Sequence, residues 1–332
     1  MWAVTGHGDS TRSSRPQDVM GAFKAVARQQ NWELAIGRLT EIQDNTVEPS
    51  VRSFSAVISA CEKALQWERA LGILKKMYVQ DSEPNVITFS TAISACGKGE
   101  QWSGAIRILA EMQELKLEID LIAFSAVISA CKKGAQWELA LGMLMEMQVQ
   151  GLEPNLVSLN AAISVCEEAT RWDQALRILR EMQAQRLEAD VISLSAAISA
   201  CAKGQQWEWA LRLFMEIHQG GLEPNVISYN AAISACEKGV QWERALGILM
   251  QMQQRSLELD VVGVSAVISA CEKGEQWEQA LRILMETQER DLELDVISFN
   301  AAISACEKGD QWERALIILA EMQQQDLELD VI

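Results

Sequence analysis

Residues Val226–Asp260 read VISYNAAISACEKGVQWERALGILMQMQQRSLELD, and near copies of this 35-residue stretch follow one another from Val51 to Asp330. One cysteine and one tryptophan recur at the same interval through the whole array. The cysteines are Cys61, Cys96, Cys131, Cys166, Cys201, Cys236, Cys271 and Cys306, and the tryptophans are Trp67, Trp102, Trp137, Trp172, Trp207, Trp242, Trp277 and Trp312. A fixed period of this length indicates a solenoid, in which each repeat buries its apolar face against its neighbours.

The apolar spacing within one repeat predicts two helices joined by a turn. In the last copy the first stripe has the spacing i, i+3, i+4, i+7 of an amphipathic helix: Phe299, Ala302, Ile303 and Cys306. A second helix is predicted to begin near Gln311, with the stripe Trp312, Ala315, Leu316, Leu319 and Met322. Between them a glycine recurs where a left-handed C-cap is expected, at Gly99, Gly134, Gly204, Gly239, Gly274 and Gly309. We therefore predict an all-α fold of stacked helix-turn-helix repeats, or αα-hairpins.

The period also divides the chain. Eight full repeats are predicted, at 51–85, 86–120, 121–155, 156–190, 191–225, 226–260, 261–295 and 296–330. Residues 16–50 are predicted to be a degenerate first repeat, because Trp32 falls in the tryptophan column whereas Val26 replaces the cysteine. Residues 1–15 are expected to be a disordered leader or the remnant of a targeting segment, and residues 331–332 the start of a truncated next repeat.

Composition excludes several classes of protein. The formal net charge of −17 argues against a simple electrostatic grip on nucleic acid, and the chain lacks an apolar run long enough to span a membrane. The cysteines are not paired at metal-ligand spacing, so we predict small buried residues in a reducing compartment rather than zinc ligands or disulfides. No clustered nucleophile and base are found. We predict no catalytic residue, metal, cofactor or small-molecule substrate, and hence no enzyme.

The first helix carries a second, more polar face, made of the second, fifth, ninth and thirteenth positions of each repeat. In the last repeat these are Ile297, Asn300, Ser304 and Lys308, which cluster within about 80° of arc on a helical wheel. The second position holds Ile87, Ile122, Val157, Ile192, Ile227, Val262 and Ile297, with Arg52 in the first full repeat. The thirteenth holds Lys63, Lys98, Lys133, Lys203, Lys238, Lys273 and Lys308, with Glu168 as the exception. The ninth is always Ser, from Ser59 to Ser304.

This face suits a single-stranded polyanion with stackable bases. Lysine would meet phosphate, the branched aliphatic side chains would flank base faces, and the fifth residue, always Ser or Asn, would read base edges. The alternative is an ordinary solvated face, in which Lys, Ser and Asn are common. A regularly repeated exposed Ile or Val is harder to explain in that way.

The unit VIS[FYL]NAAISACEKG-x-QWE-x-AL-x-IL-x-EMQ-x-x-x-LE-x-D resembles the pentatricopeptide repeat of the pure 35-residue class, strongly over 51–330 and weakly over 16–50. Tetratricopeptide repeats are the nearest alternative, but they run at 34 residues and place their Trp early in the first helix. The resemblance implies a right-handed α-solenoid superhelix that binds single-stranded RNA at one base per repeat. It also implies that the second-position aliphatics sandwich bases and that the lysines approach phosphates. Arg52 and Glu168 depart from this pattern.

In that family the fifth and last residues of a repeat select the base. The resemblance implies A for Ser with Asn, G for Ser with Asp and U for Asn with Asp. The pairs in chain order are Ser55/Asn85, Ser90/Asp120, Ser125/Asn155, Asn160/Asp190, Ser195/Asn225, Asn230/Asp260, Ser265/Asp295 and Asn300/Asp330. Because the family reads RNA 5′ to 3′ along the chain, the implied target is 5′-AGAUAUGU-3′.

The resemblance further implies an adaptor in organelle RNA processing, stability or translation. Its partners would be single-stranded RNA and other RNA-processing proteins, and its location the mitochondrion or plastid, otherwise the cytoplasm. No membrane partner is predicted. The acidic balance favours a competing hypothesis, a protein-binding scaffold of tetratricopeptide type without RNA specificity. One acidic column adjoins the lysines and is expected to make phosphate binding weak and salt-dependent: Glu62, Glu167, Glu237, Glu272 and Glu307.

Overall fold

The structure of the protein, a computed structural model, describes residues 32–44, 49–290 and 292–324. These residues form seventeen α-helices and no strand. The helices are α1 Trp32–Asp44, α2 Val51–Lys63, α3 Trp67–Val79, α4 Val86–Lys98, α5 Trp102–Glu114, α6 Leu121–Ala130, α7 Trp137–Val149, α8 Leu156–Glu168, α9 Trp172–Ala184, α10 Val191–Lys203, α11 Trp207–Gln219, α12 Val226–Lys238, α13 Trp242–Gln254, α14 Val261–Lys273, α15 Trp277–Gln288, α16 Val296–Lys308 and α17 Trp312–Gln324. The leader predicted at 1–15, most of the degenerate repeat, Asp330 and residues 331–332 lie outside the described residues.

The helices alternate in role along the chain. From α2 onward, the even-numbered helices are the first helices of the predicted repeats and the odd-numbered ones are the second. The chain divides into two compact units, Met1–Gly134 with Val149–Leu152, and Ala135–Gln148 with Glu153–Ile332. In the former, α4 packs between α2 and α6; in the latter, α8, α10, α12, α14 and α16 pack in succession. This stacking of hairpin on hairpin confirms the predicted all-α solenoid.

The core consists of the predicted stripes of the first helices together with the inner face of the second helices. Phe89 and Tyr229, at the fourth position of their repeats, are fully buried. All eight cysteines are buried and unpaired, which confirms that they are small core residues. Burial raises the pKa of the thiols, to about 11 for Cys61 and about 12 for Cys236. These thiols are therefore protonated at neutral pH.

The stripe predicted for the last second helix is only partly buried. Trp312 and Leu316 are 66% and 56% exposed, whereas the equivalent Leu281 in the preceding repeat is buried. In that preceding repeat the face of α15 is covered by α16 of the next repeat. Residues beyond 324 lie outside the described part of the chain. In the preceding repeat, the burial of Leu281 thus depends on the following repeat and not on its own hairpin alone.

The predicted left-handed conformation of the turn glycines is wrong. Gly239 has φ −87° and Gly309 has φ −89°, which any residue adopts. The left-handed residue is the next one, Val240 at φ 55° or Asp310 at φ 57°. The Gln241 N–H then donates to the carbonyl of Cys236 at 2.8 Å. This is the 6→1 hydrogen bond of a Schellman motif. The turn therefore places a side chain, and not a glycine, in the left-handed region.

In five repeats the glycine instead allows close packing between repeats, whereas Ala64 and Ala169 occupy the same position in two others. A Cβ on Gly239 would lie 2.6 Å from Cδ1 of Trp207, the tryptophan of the preceding repeat. Gly99, Gly204, Gly274 and Gly309 lie equally close to the ring of the preceding tryptophan. Real Cβ atoms do not approach a ring so closely, because the packed interior leaves no space for the extra methyl group. The two recurring residues, Gly and Trp, thus form one contact.

Candidate functional site

The second position of each first helix faces outward. Ile87, Ile122, Val157, Ile192, Ile227, Val262 and Ile297 are all 61–66% exposed. We call these seven side chains the outer row. Single exposed apolar residues are ordinary on a protein surface, whereas an exposed apolar residue repeated at one helical position is a candidate for ligand contact. The structure therefore places the predicted base-stacking residues where a ligand can reach them.

The fifth position lies deeper than the outer row. Ser90, Ser125, Ser195 and Ser265 are buried, and Ser55, Asn160, Asn230 and Asn300 are half-buried. Two of these serines contact the first helix of the next repeat: Ser55 Oγ lies 3.2 Å from Thr88 Oγ1, and Ser265 Oγ lies 2.6 Å from Ser298 Oγ. A ligand could therefore meet only one edge of these polar groups.

The last residue of each repeat caps the first helix of the next. Its side-chain oxygen accepts a hydrogen bond from the backbone N–H of the third helical residue, for example Ser228 to Asn225 at 2.9 Å and Gly263 to Asp260 at 3.0 Å. The caps are Ser50, Asn85, Asp120, Asn155, Asp190, Asn225, Asp260 and Asp295. Asn, Asp and Ser are the preferred N-cap residues. Capping therefore supplies a second reason for this column of Asn and Asp, which the sequence analysis missed although the position directly before each predicted helix could have indicated it.

We expect the Asn225→Ala variant to lose about 1 kcal/mol of unfolding free energy, because the N–H of Ser228 loses its acceptor. The Asn225→Asp variant keeps an N-cap oxygen and should stay within about 0.5 kcal/mol of the wild type. Urea denaturation followed by circular dichroism measures both. An equal loss in the two variants would contradict the capping role.

In repeats that end in Asp, the fifth and last residues are hydrogen-bonded to each other. Asn230 Nδ2 donates to Asp260 Oδ2 at 2.6 Å, and Asn160 Nδ2 donates to both oxygens of Asp190 at 3.2 and 3.3 Å. The serine hydroxyls do the same: Ser265 to Asp295 at 3.0 Å and Ser90 to Asp120 at 3.4 Å. The structure therefore brings together four of the predicted base-selecting pairs. The partner of Asn300, Asp330, lies outside the described residues.

In repeats that end in Asn, the serine bonds to its own helix instead. The Ser55 hydroxyl donates to the carbonyl of Val51 at 2.9 Å, and the Ser195 hydroxyl to that of Val191 at 2.5 Å. The side-chain oxygens of Asn85 and Asn225 accept the capping bond. Ser125 and Asn155 belong to different compact units; Ser125 donates to the carbonyl of Leu121 at 2.7 Å, and Asn155 caps α8.

The three kinds of pair leave three different polar groups without a partner in the described part of the chain. In Asn–Asp pairs the carboxylate can only accept, so the amide nitrogen faces it and the buried Oδ1 of Asn160 and of Asn230 has no partner. In Ser–Asp pairs the cap and the serine both bond to Oδ1 of Asp295, which leaves Oδ2. In Ser–Asn pairs the amide nitrogen of Asn225 remains as a donor.

Asp190 is held in its ionised form. Burial works to raise its pKa, but hydrogen bonds from the Ser193 hydroxyl and amide and from Asn160 outweigh burial, and the pKa lies below its usual range. The carboxylate therefore accepts hydrogen bonds at neutral pH. This charge state fixes the orientation of the Asn160 amide, since only the nitrogen end can donate to it.

The predicted phosphate-facing lysines are exposed but ion-paired. The acceptor in the clearest cases is the glutamate at the twelfth position of the preceding repeat. The distances are 3.0 Å for Lys98–Glu62, 3.2 Å for Lys203–Glu167, 2.7 Å for Lys273–Glu237 and 2.6 Å for Lys308–Glu272. The acidic column noted in the sequence thus reaches across to the next repeat. The lysine charges on this face are therefore largely compensated.

Two other kinds of site are absent from the residues that the structure describes. Across the described ranges, no three His, Cys, Asp or Glu side chains are grouped so that they could hold a metal ion. None of the helices described is both long enough and apolar enough to cross a membrane.

Family models match most of the chain. The model of the pentatricopeptide repeat domain matches residues 39–99, 107–168, 177–238 and 247–310. The model of the single PPR repeat matches residues 87–117, 157–187, 227–257 and 297–327. No curated protein sequence matches the chain.

Solved structures share the fold. The crystal structure of the pentatricopeptide repeat protein PPR10 from maize is 18% identical, with a TM-score of 0.62 over 94% of this chain and 49% of that one. The crystal structure of PPR10 in complex with an 18-nt psaJ RNA element is 16% identical, with a TM-score of 0.54 over 95% of this chain and 56% of that one. The chain thus spans about half the length of the PPR10 structures. At these identities the likeness establishes the helical-repeat fold.

Proposed function

Because the chain belongs to the pentatricopeptide repeat family, we propose that it binds single-stranded RNA by sequence, with one base per repeat. The observation that carries this proposal is the outer row, whose seven exposed aliphatic side chains each stand one helical turn from a fifth-position Ser or Asn. Branched aliphatic side chains can flank the face of a base, and the fifth-position group can reach its edge. The RNA complex of PPR10 supports the same class of ligand.

The groups left without a partner support the assignment of bases. The amide oxygens of Asn160 and Asn230 are acceptors without a protein partner, and rotation of the Asn side chain would present this buried oxygen to the N3–H of uracil. The spare carboxylate oxygen of Asp295 suits guanine, which carries two donor groups on its Watson–Crick edge. The amide nitrogen of Asn225 is a donor and suits the ring-nitrogen acceptors of adenine. The proposed target therefore remains 5′-AGAUAUGU-3′.

We infer that the protein acts as an adaptor without chemistry of its own. Binding of a short tract would shield an RNA end, remodel a structure or recruit an RNA-processing enzyme. Family membership supports a role in organelle RNA processing, stability or translation, and thus a location in the mitochondrion or plastid. The first base of the proposed target is assigned from Ser55 and Asn85. The eighth base is assigned from Asn300 and Asp330.

Fluorescence anisotropy with labelled AGAUAUGU and a scrambled octamer of the same composition tests this function. We expect the target to bind at least about tenfold more tightly at low salt, since one well-placed polar contact discriminates by about 1–3 kcal/mol. Equal binding of the two octamers would overturn sequence recognition. Absence of binding to both at low salt would favour the protein-binding scaffold.

A further inference from the structure

Four glutamates lie among the lysines of the proposed RNA face, and we call Glu62, Glu167, Glu237 and Glu272 the carboxylate column. Each occupies the twelfth position of its repeat and forms an ion pair with the lysine at the thirteenth position of the next repeat. Capping of helices does not explain these glutamates, because they lie near the carboxyl ends of their helices, where the helix dipole disfavours negative charge. Their recurring 36-residue spacing to lysine therefore indicates another role.

Two of these glutamates are held by a serine as well as a lysine. Oε1 of Glu62 accepts from the Ser94 hydroxyl at 2.7 Å and lies 3.0 Å from Lys98 Nζ. Oε1 of Glu272 accepts from Ser304 at 3.2 Å and lies 2.6 Å from Lys308 Nζ. The ninth-position serine thus helps to position the carboxylate in these two repeats.

The glutamates are more deeply placed than the lysines that they hold. The side chains of the carboxylate column are only 15–18% exposed, whereas their lysines are 37–47% exposed. Partly buried ion pairs are screened by salt less than exposed ones. The carboxylates therefore keep the ammonium groups occupied at the surface where a phosphate would approach.

Repeats without a glutamate at the twelfth position provide an internal comparison. Gly97 stands at that position before Lys133, which is 71% exposed and lies 3.5 Å from Glu100. Ala202 stands there before Lys238, which lies 3.8 Å from Glu237. The lysine is held less tightly in both cases. Close pairing thus depends on the twelfth residue.

We propose that the carboxylate column competes with phosphate for the lysines and so lowers the part of RNA affinity that does not depend on sequence. This proposal rests on the proposed RNA-binding function. Phosphate contacts supply affinity without sequence information, and base contacts supply specificity. Compensated lysines leave non-matching RNA weakly bound, so that only RNA with the correct bases remains on the protein.

The test variant is the triple substitution Glu167→Gln, Glu237→Gln and Glu272→Gln. Glutamine keeps hydrogen-bonding capacity toward serine and lysine but removes the negative charge. The matched control is Glu208→Gln, Glu243→Gln and Glu278→Gln, which changes the net charge equally in the first turns of α11, α13 and α15. Anisotropy is measured over a salt series with AGAUAUGU, with the scrambled octamer and with inorganic polyphosphate, which has no bases.

We expect the test variant to bind both octamers about tenfold more tightly at low salt, with little change in their ratio. Each lysine released should steepen the dependence of log K on log salt by about 0.7, or about 2 for the triple variant. Polyphosphate binding should rise in parallel, and the control should resemble the wild type. A test variant that matches the wild type with all three ligands, or a control that tightens equally, would overturn the proposal.

A variant that is expected to weaken binding keeps the proposal testable if the triple variant does not fold. Ala202→Glu adds a carboxylate 36 residues before Lys238, the spacing of Glu237 and Lys273. It should weaken octamer and polyphosphate binding and reduce the salt slope by about 0.7; an unchanged slope would contradict the proposal. The wild type could bind both octamers equally while the triple glutamine variant binds polyphosphate more tightly. That result would refute the proposed sequence recognition but support the proposed role of the carboxylate column.

Discussion

Replacing Asn160 by Ser is expected to change the base preferred at the fourth position of the RNA from U to G. The substitution removes the buried amide oxygen that has no partner in the protein and that we assign to uracil N3–H. The new hydroxyl can donate to Asp190, as Ser265 donates to Asp295, and would leave one carboxylate oxygen for guanine. We expect a reversal of about 10- to 100-fold between AGAUAUGU and AGAGAUGU, from about 1–3 kcal/mol for such a contact.

The reciprocal variant Ser265→Asn is the matched control. It converts a Ser–Asp pair into an Asn–Asp pair and should change the seventh preference from G to U. The third residue of the next repeat is Ser298 here and Ser193 beside Asn160, so the two sites have the same neighbour. Continued preference for U at the fourth position by the Asn160→Ser variant would show that the register of bases on repeats is wrong.

Replacing Gly239 by Ala is expected to lower the unfolding free energy by about 2 kcal/mol, the middle of the range for overpacking. The new methyl group would lie 2.6 Å from Cδ1 of Trp207, and the ring is confined by packing between repeats. The backbone is not the obstacle, because φ is −87° at Gly239 and Ala64 adopts the same conformation at φ −88°. Thermal and urea unfolding measure the loss.

Two companion variants separate close packing from backbone conformation. With Trp207→Leu in the background, Gly239→Ala should be neutral or slightly stabilising, because the methyl group gains space and the unfolded chain loses freedom. Val240→Gly should stabilise by about 1 kcal/mol, because a β-branched residue at φ 55° is unfavourable. A full loss from Gly239→Ala in the Trp207→Leu background would contradict this account.

Two features of the candidate site were not predicted from the sequence: the ion pairs of the carboxylate column and the helix caps. The Asn or Asp at the end of a repeat was predicted to select a base, and the structure shows that it also caps the next helix. The lysines were predicted to face phosphate, and in the structure their ion-pair partners lie 36 residues earlier in the chain, as Glu237 does for Lys273. Both relationships cross from one repeat to the next. A pattern within one repeat does not contain them.

The 35-residue period by itself determined the two-helix repeat, the buried cysteines and the outward second position, because helical periodicity assigns each residue to a face. Only the tertiary structure decided why glycine precedes the second helix, which lysines are ion-paired and which polar group each pair of fifth and last residues leaves without a partner. These depend on the distance between side chains of successive repeats, such as Trp207 and Gly239. Spacing along the chain identifies the face of a residue, whereas contacts between repeats are set by how the helices pack.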